Sequence, residues 1–210
     1  GHFVAATWLL RPHELGVIDA NAAELVREGA RGATAVLIGP GLGLEETTRE
    51  FLARLLSPAG VGVRTGIGFI PAKSLAREEK GAGDLPGLVI DADGLKLLAQ
   101  IPGWAGLLPA LAVLTPHPGE MAVLTGIDKG EIQASRVVVA ERFAREWGHV
   151  VVLKGAFTVV AAPDGRTVVI PVATPALARA GTGDVLAGLI VGLRAQGVAA
   201  YEAAVAGAWL

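Results

Sequence analysis

Residues 35–43, Ala-Val-Leu-Ile-Gly-Pro-Gly-Leu-Gly, decide the fold class of this chain. The four apolar residues 35–38 are typical of a buried strand, and the glycines after them end that strand in a tight turn. Residues 45–56 then place apolar side chains at helical spacing until Ser57-Pro58 interrupts the pattern. The order of strand, glycine loop and helix predicts one unit of an α/β fold.

The same unit recurs twice in the middle of the chain. Residues 88–91 and 111–115 are apolar runs that predict buried strands, and 94–100 and 118–124 predict the helices that follow them. A longer amphipathic pattern over residues 131–147 predicts a further helix. Repetition of the unit predicts a mostly parallel sheet that is covered by helices.

The last third of the chain predicts more strands and then helices. Strands are expected at 150–154, 158–162 and 167–172, and the last two form a hairpin around Pro163-Asp164-Gly165 at the sheet edge. One helix is expected to run to Gln196 and stop at Gly197, and another begins at about Ala199. Residues 64–86 are Gly-rich and break the pattern, so we predict a surface insertion there.

Composition excludes several classes of protein. The 210 residues suffice for one domain, and a net charge of −2 does not suggest a basic face large enough to bind nucleic acid. The longest apolar stretches, such as residues 185–193, fall short of the roughly 18 residues that a spanning helix needs. The chain has no cysteine, which excludes disulfides and thiolate metal sites and favours a cytoplasmic protein.

Glycines stand at two places where an α/β fold binds ligands, beyond the carboxyl ends of strands. Gly39, Gly41 and Gly43 leave room for a ligand to approach the backbone, although a simple tight turn explains the same residues. Gly181-Thr182-Gly183 precede an apolar helix, where free N–H groups can hold a phosphate. Asp184 follows them and is either a general base for a substrate hydroxyl or a helix cap.

Charged groups stand at three other predicted strand ends. Asp91 and Asp93 fit a Mg²⁺ site, although a helix cap explains them somewhat better. His117 and Glu120 lie in a proline-stiffened turn that suggests a ligand contact, or Glu120 only begins a helix. Lys154 is suited to bind a phosphate, although a lysine at a strand end is more often a solvated surface charge.

Five blocks of this sequence resemble, in order, the NAD(P)H-hydrate dehydratase family. The blocks are Ile38-Gly39-Pro40-Gly41-Leu42-Gly43, Val89-Ile90-Asp91-Ala92-Asp93-Gly94-Leu95, Leu114-Thr115-Pro116-His117-Pro118-Gly119-Glu120, Val152-Leu153-Lys154-Gly155 and Ala180-Gly181-Thr182-Gly183-Asp184-Val185-Leu186-Ala187-Gly188. The resemblance covers residues 33–210. It implies a ribokinase-like three-layer α/β/α sandwich with a mostly parallel central sheet. It also implies a lyase that uses ADP or ATP, with Mg²⁺, to dehydrate NADHX or NADPHX.

The resemblance also assigns roles to residues. It implies that Asp184 is the catalytic base and that Gly181, Thr182 and Gly183 form an anion hole for the transferring phosphate. Contacts to the hydrated dinucleotide are assigned to Gly39, Gly41, Gly43, His117 and Asp184. Contacts to the adenine nucleotide are assigned to Lys154, Gly155, Ala156, Phe157, Thr158 and Gly183. Asp91 and Asp93 match the family's acidic block and are the candidate metal ligands.

The chain departs from the family at both ends. The family's opening glycine-rich strand and helix are not recognisable in residues 1–32, and the final helix stops early. We therefore expect a single domain over residues 1–210 that lacks parts of the family's terminal segments. We also expect the protein to form a homo-oligomer. Two alternatives stay open: a small-molecule kinase of the same superfamily acting on a vitamin precursor, and a nucleotide-binding module without catalysis.

Overall fold

The computed structural model describes residues 13–14, 16–57, 85–172 and 179–210. The strands are β1 (His13–Glu14), β2 (Val17–Ile18), β3 (Ala35–Ile38), β4 (Gly87–Ile90), β5 (Val113–Leu114), β6 (Val150–Leu153), β7 (Val159–Ala161) and β8 (Thr167–Val169). The helices are α1 (Ala22–Ala30), α2 (Glu46–Leu56), α3 (Asp93–Leu98), a 3-10 turn (Trp104–Leu107), α4 (Pro118–Thr125), α5 (Lys129–Ala134), α6 (Arg136–Trp147), α7 (Thr182–Ala195) and α8 (Ala200–Trp209).

The central sheet is mostly parallel, as the sequence predicts. Within the described residues it has six strands, arranged in chain order from β3 to β8. Strands β3 to β6 pair in parallel, and β7 and β8 add an antiparallel hairpin at one edge. The hairpin turns at Gly165, whose φ of +95° a side chain would disfavour. Strands β1 and β2 pair with each other in a separate two-stranded sheet.

Alternating residues of the strands face two layers of helices. In β4, Leu88 and Ile90 are buried in a core with residues of α1, α2 and α3, whereas Val89 is buried with residues of α7 and α8. Leu153 of β6 lies in a third core with residues of α4, α5 and α6. Since neighbouring side chains of a strand point to opposite faces, the sheet is buried on both sides. The domain is a three-layer α/β/α sandwich.

The helix expected over residues 131–147 is divided into two, which corrects that prediction. Ser135 has φ −132° and ψ 38°, so it ends α5 and precedes α6. Residue Asp128 begins α5 by accepting hydrogen bonds from the N–H groups of Gly130 and Glu131. The apolar spacing is continuous through Ser135, and periodicity alone therefore hides the break.

Arg27 has a structural role that its sequence position does not reveal. Its side chain is buried, and Nη2 donates to the carbonyl oxygens of Arg54, Leu55 and Ser57 at 2.9, 2.7 and 2.6 Å. These carbonyls belong to the end of α2, where the helix leaves its last acceptors unpaired. Arg27 thus joins α1 to the carboxyl end of α2.

His149 predicts a pH dependence of stability. Its buried ring lies against Ala105, with 2.9 Å between Nε2 and the carbonyl oxygen, and burial lowers the pKa of His149. Below about pH 6.5 the unfolded chain binds a proton that the folded chain does not bind. The free energy of unfolding should therefore decrease as the pH falls through that value. Urea unfolding from pH 7.5 to 5.5 measures the slope, and an equal slope in His149→Gln would contradict the assignment.

The described residues bear on two further predictions, the surface insertion and the absence of a membrane-spanning helix. The predicted insertion at 64–86 lies outside them up to residue 84, and Leu85, which follows, is buried in the core. Among the described helices, none combines the length and apolar character needed to cross a bilayer.

Candidate active site at the carboxyl edge of the sheet

The predicted site residues follow strands whose carboxyl ends are joined by backbone hydrogen bonds. The N–H of Asp91 donates to Ile38 O at 3.1 Å, and the N–H of Thr115 donates to Ile90 O at 3.1 Å. The N–H of Lys154 donates to Pro116 O at 2.8 Å. Because β3 to β6 are parallel, the loops after all four strands lie at one edge of the sheet. This is the edge at which an α/β fold binds ligands.

The glycine loop after β3 packs directly on the loop after β4. A Cβ on Gly39, whose φ is +130°, would lie 1.8 Å from the backbone oxygen of Asp91. The N–H of Gly43 donates to Asp93 Oδ2 at 3.2 Å. Gly41 differs, because the space around its missing Cβ is open within 4 Å. Gly39 is therefore required by an internal contact, whereas Gly41 leaves its side of the backbone accessible to a ligand.

Asp91 and Lys154 form a buried ion pair between β4 and β6. Lys154 Nζ lies 2.5 Å from Asp91 Oδ1 and 3.7 Å from Glu120 Oε2, and the side chains are 16%, 1% and 4% exposed, respectively. Lys154 is thus not a solvated surface charge. Asp91 does not cap α3 either, since Ala92 holds the N-cap position without a side-chain hydrogen bond. The pair places one ammonium group between two carboxylates.

The carboxylate of Asp93 does not join the Asp91–Lys154 ion pair and binds two other groups. Its Oδ2 accepts from Gly43 N, and its Oδ1 lies 3.1 Å from Lys96 Nζ. Within the described ranges, no three acidic or imidazole side chains gather closely enough to hold a metal ion. The two aspartates predicted as metal ligands therefore belong to different hydrogen-bonded groups.

His117 begins α4 as its N-cap residue. Its Nδ1 accepts from the N–H groups of Gly119 and Glu120 at 3.0 and 3.1 Å, and Glu120 Oε2 accepts from His117 N at 2.8 Å. With Nδ1 acting as acceptor, a neutral imidazole carries its proton on Nε2. The ring is half-exposed, and Nε2 lies 3.4 Å from Glu120 Oε1. Sequence reasoning missed the capping role because His is not a usual N-cap residue.

The start of α7 lies against the Lys154–Asp91 pair. A Cβ on Gly183 would lie 3.3 Å from Lys154 Nζ and 3.7 Å from Asp91 Oδ2. Gly181 holds the N-cap position in the left-handed conformation, with φ +91°. Asp184 is the third residue of the helix and its side chain is exposed, so it does not occupy the capping position. The start of α7 thus faces the buried charges.

The loop after β6 carries an exposed aromatic residue in a strained conformation. Phe157 has φ +58° and is 53% exposed, and Thr158 Oγ1 donates to Gly155 O at 3.1 Å. Large residues with positive φ are uncommon and concentrate at ligand-binding sites. Gly155 and Ala156 are exposed beside it. The loop therefore presents an exposed surface next to Lys154 that a ligand can contact.

A protein-family model described as NAD(P)H-hydrate dehydratase matches residues 6–210. The chain is 44% identical to a bifunctional NAD(P)H-hydrate repair enzyme of Salinibacter ruber, over 91% of the chain and 30% of that relative. It is 41% identical to an ADP-dependent (S)-NAD(P)H-hydrate dehydratase of Neisseria meningitidis, over 71% of the chain and 51% of that relative. The chain therefore spans between about a third and a half of these curated relatives.

Solved structures give the fold. An ADP/ATP-dependent NAD(P)H-hydrate dehydratase from Bacillus subtilis, co-crystallized with ATP/Mg²⁺ and soaked with CoA, superposes with a TM-score of 0.63 at 26% identity. The match covers 91% of this chain and 67% of that one. A ribokinase-like superfamily protein from Enterococcus faecalis superposes with a TM-score of 0.65 at 24% identity, over 92% of this chain and 58% of that one. The predicted ribokinase-like fold is confirmed.

Proposed function

The chain belongs to the NAD(P)H-hydrate dehydratase family, and from that premise we propose that it converts NADHX or NADPHX to NADH or NADPH with ADP or ATP as co-substrate. The observation that carries the proposal is the position of Asp184. Its exposed carboxylate stands on the first turn of a helix whose start lies against the buried Lys154–Asp91 pair. A base, an anion-binding helix end and a fixed cation thus converge at one sheet edge.

The proposed reaction begins with phosphoryl transfer to the hydroxyl of the hydrated nicotinamide ring. Asp184 takes the hydroxyl proton as the terminal phosphate of the nucleotide moves to that oxygen. The N–H groups of Gly181, Thr182 and Gly183 are proposed to hold the transferring phosphate, where the helix dipole favours negative charge. The ring nitrogen then expels the phosphate as the C–O bond breaks, and loss of a proton from the adjacent ring carbon restores the double bond.

The charges at the site support a role for Mg²⁺. Asp91, Glu120 and Asp184 each bring a carboxylate, and Lys154 is the ammonium between the first two. These four groups leave two net negative charges, which would repel a polyphosphate. Mg²⁺ is typically held by one or two carboxylates together with substrate phosphates. We propose that Asp91 would hold it together with the nucleotide phosphates, since Glu120 accepts from His117 N and Asp93 is engaged by Gly43 and Lys96. Bound Mg²⁺ would neutralise phosphate charge.

The remaining ligand contacts are assigned by position. We propose that Gly39, Gly41, Gly43 and the half-exposed ring of His117 contact the dinucleotide. The adenine nucleotide is placed on the loop of residues 154–158, which presents the exposed ring of Phe157. Both ligands then bind along the same sheet edge. A structure of the complex with the two ligands on opposite faces of the sheet would contradict this arrangement.

One assay separates the proposal from its alternatives. The protein is incubated with NADHX, Mg²⁺ and either ADP or ATP, and the absorbance of reduced nicotinamide is followed. Recovery of NADH absorbance supports the dehydratase. A stable phosphorylated alcohol made from a vitamin precursor, without NADH recovery, would indicate a kinase. Binding of nucleotide without turnover of any hydroxylated acceptor would indicate a binding module.

We further propose that residues 1–210 form one domain and that the protein acts in the cytoplasm as a homo-oligomer. The absence of cysteine supports the compartment, since a reducing environment provides no disulfides. Two exposed apolar residues on α7, Val185 and Leu189, support association with a second copy. Light scattering of the protein in solution measures the mass, and a monomer would contradict the last point.

Substitution of Lys154 should weaken nucleotide binding more than it slows the chemical step. A fixed charge beside a phosphate stabilises the ground state and the transition state alike, so Lys154→Met should raise the KM for nucleotide about tenfold with a smaller change in kcat. The variant also leaves Asp91 buried without its cation, and kinetics must be measured well below its melting temperature. Lys96→Met is the control, because it removes a partly exposed ammonium group and should leave the KM for nucleotide unchanged. An unchanged KM in Lys154→Met would contradict the assignment.

A further inference from the structure

Arg136 is a cation that the proposed reaction leaves without a role. It is the first residue of α6, and its Nη2 donates to the carbonyl oxygen of Leu153 at 2.8 Å. Leu153 is the last residue of β6 and directly precedes Lys154. Arg136 therefore contacts the strand end from which the proposed nucleotide loop departs.

Gly155 leaves the space that Arg136 occupies. A Cβ on Gly155 would lie 2.8 Å from Nη1, 3.0 Å from Nη2 and 3.2 Å from Cζ of the guanidinium. Gly155 also has a φ of +149°, which side chains rarely adopt. The guanidinium thus packs against the backbone of the loop at the residue after Lys154.

The peptide between Leu153 and Lys154 is fixed from two sides. Its N–H, on Lys154, donates to Pro116 O at 2.8 Å, and its carbonyl, on Leu153, accepts from Arg136. The first bond ties the loop to the turn after β5, and the second ties it to α6. Together they determine the direction in which the Lys154 side chain leaves the strand.

Arg136 also differs from Lys154 in the number of carboxylates that lie beside it. Lys154 lies between Asp91 and Glu120, whereas Arg136 has no ion pair with any carboxylate in the described part of the chain. Partial burial lowers the pKa of Arg136, yet a guanidinium stays protonated at neutral pH. The positive charge of Arg136, which no carboxylate among the described residues balances, therefore attracts an anion that binds to the loop of residues 154–158.

We infer that Arg136 is a positioning residue for the nucleotide. It holds the loop of residues 154–158 in its binding conformation and adds a positive charge to that of Lys154, whose ammonium group is partly balanced by Asp91 and Glu120. The inference rests on the proposed function, since it assumes that an anionic nucleotide binds this loop. It predicts an effect on nucleotide affinity that is separate from the effect on the hydrated dinucleotide.

The test compares Arg136→Met, which removes both the hydrogen bond and the charge, with Arg136→Lys, which retains the charge. We expect Arg136→Met to raise the KM for ADP or ATP about tenfold, with less than about threefold change in kcat or in the KM for NADHX. Arg136→Lys should recover most of the loss. Raising the salt concentration should weaken nucleotide binding more in the wild type than in Arg136→Met.

Arg142→Met is the matched control, because Arg142 is an exposed arginine of the same helix that pairs with Glu146. It should leave both KM values unchanged. Equal KM values for nucleotide in the wild type and Arg136→Met would overturn the inference, as would a loss that Arg136→Lys does not reduce. If Arg136→Met fails to fold, Arg136→Gln replaces it, because Gln keeps an N–H donor and removes the charge. A raised KM for nucleotide in Arg136→Gln supports the inference, and an unchanged KM overturns it. A wild type that neither binds nor turns over nucleotide would instead remove the proposed function.

Discussion

Asp184→Asn should lower kcat for NADHX dehydration by about 10² to 10⁴ while the melting temperature stays close to that of the wild type. Asn keeps the size of Asp and its ability to accept hydrogen bonds, but it cannot take a proton from the substrate hydroxyl. Asp184 is exposed, and the N-cap position of α7 is held by Gly181. The substitution therefore removes the base and leaves the packing of the helix unchanged.

Asp128→Asn provides the control for capping. Asp128 is the N-cap residue of α5, and its Oδ1 accepts from Gly130 N at 2.7 Å and from Glu131 N at 3.3 Å. Asn is about as good a cap as Asp, so this variant should keep both its stability and its activity. Melting curves and the NADHX assay on both variants make the comparison. Normal turnover in Asp184→Asn would remove Asp184 from the mechanism.

Local patterns in the sequence predicted much of the fold. The strand at residues 35–38 and the helix that follows are found where apolar spacing placed them, since both are determined by neighbouring residues. The break at Ser135 was missed because it depends on the backbone angles of one polar residue. Gly197, with φ +88° just after α7, confirms the stop that was predicted at this glycine.

The contacts inside the site were beyond sequence reasoning. Five separate blocks were expected at one sheet edge, and the backbone hydrogen bonds between strand ends place four of their loops there. The pairing of Asp91 with Lys154 joins residues 63 positions apart, and no local pattern encodes which cation meets which carboxylate. The same is true of Arg136 beneath Gly155. Such contacts arise only when the loops pack together, and they decide which charges remain available to a ligand.

Gly39→Ala should be the most destabilising single substitution in the glycine loop, by about 4 kcal/mol in the free energy of unfolding. The φ of +130° at Gly39 is strained for any side chain, at a cost of about 1–3 kcal/mol. The added Cβ would also lie 1.8 Å from the backbone oxygen of Asp91, so the two loops must separate. Overpacking of this kind adds about 1–3 kcal/mol. Urea unfolding monitored by circular dichroism measures the sum.

Gly41→Ala separates strain from overlap, because Gly41 has φ +69° and open space where its Cβ would stand. It should cost only about 1 kcal/mol, the penalty of a left-handed alanine. Equal losses in the two variants would contradict the close approach of the loops after β3 and β4. The same pair tests the two explanations of the glycines. If the loop is only a tight turn, Gly41→Ala leaves the KM for NADHX unchanged; if a ligand uses the open side of Gly41, that KM rises although the fold is retained.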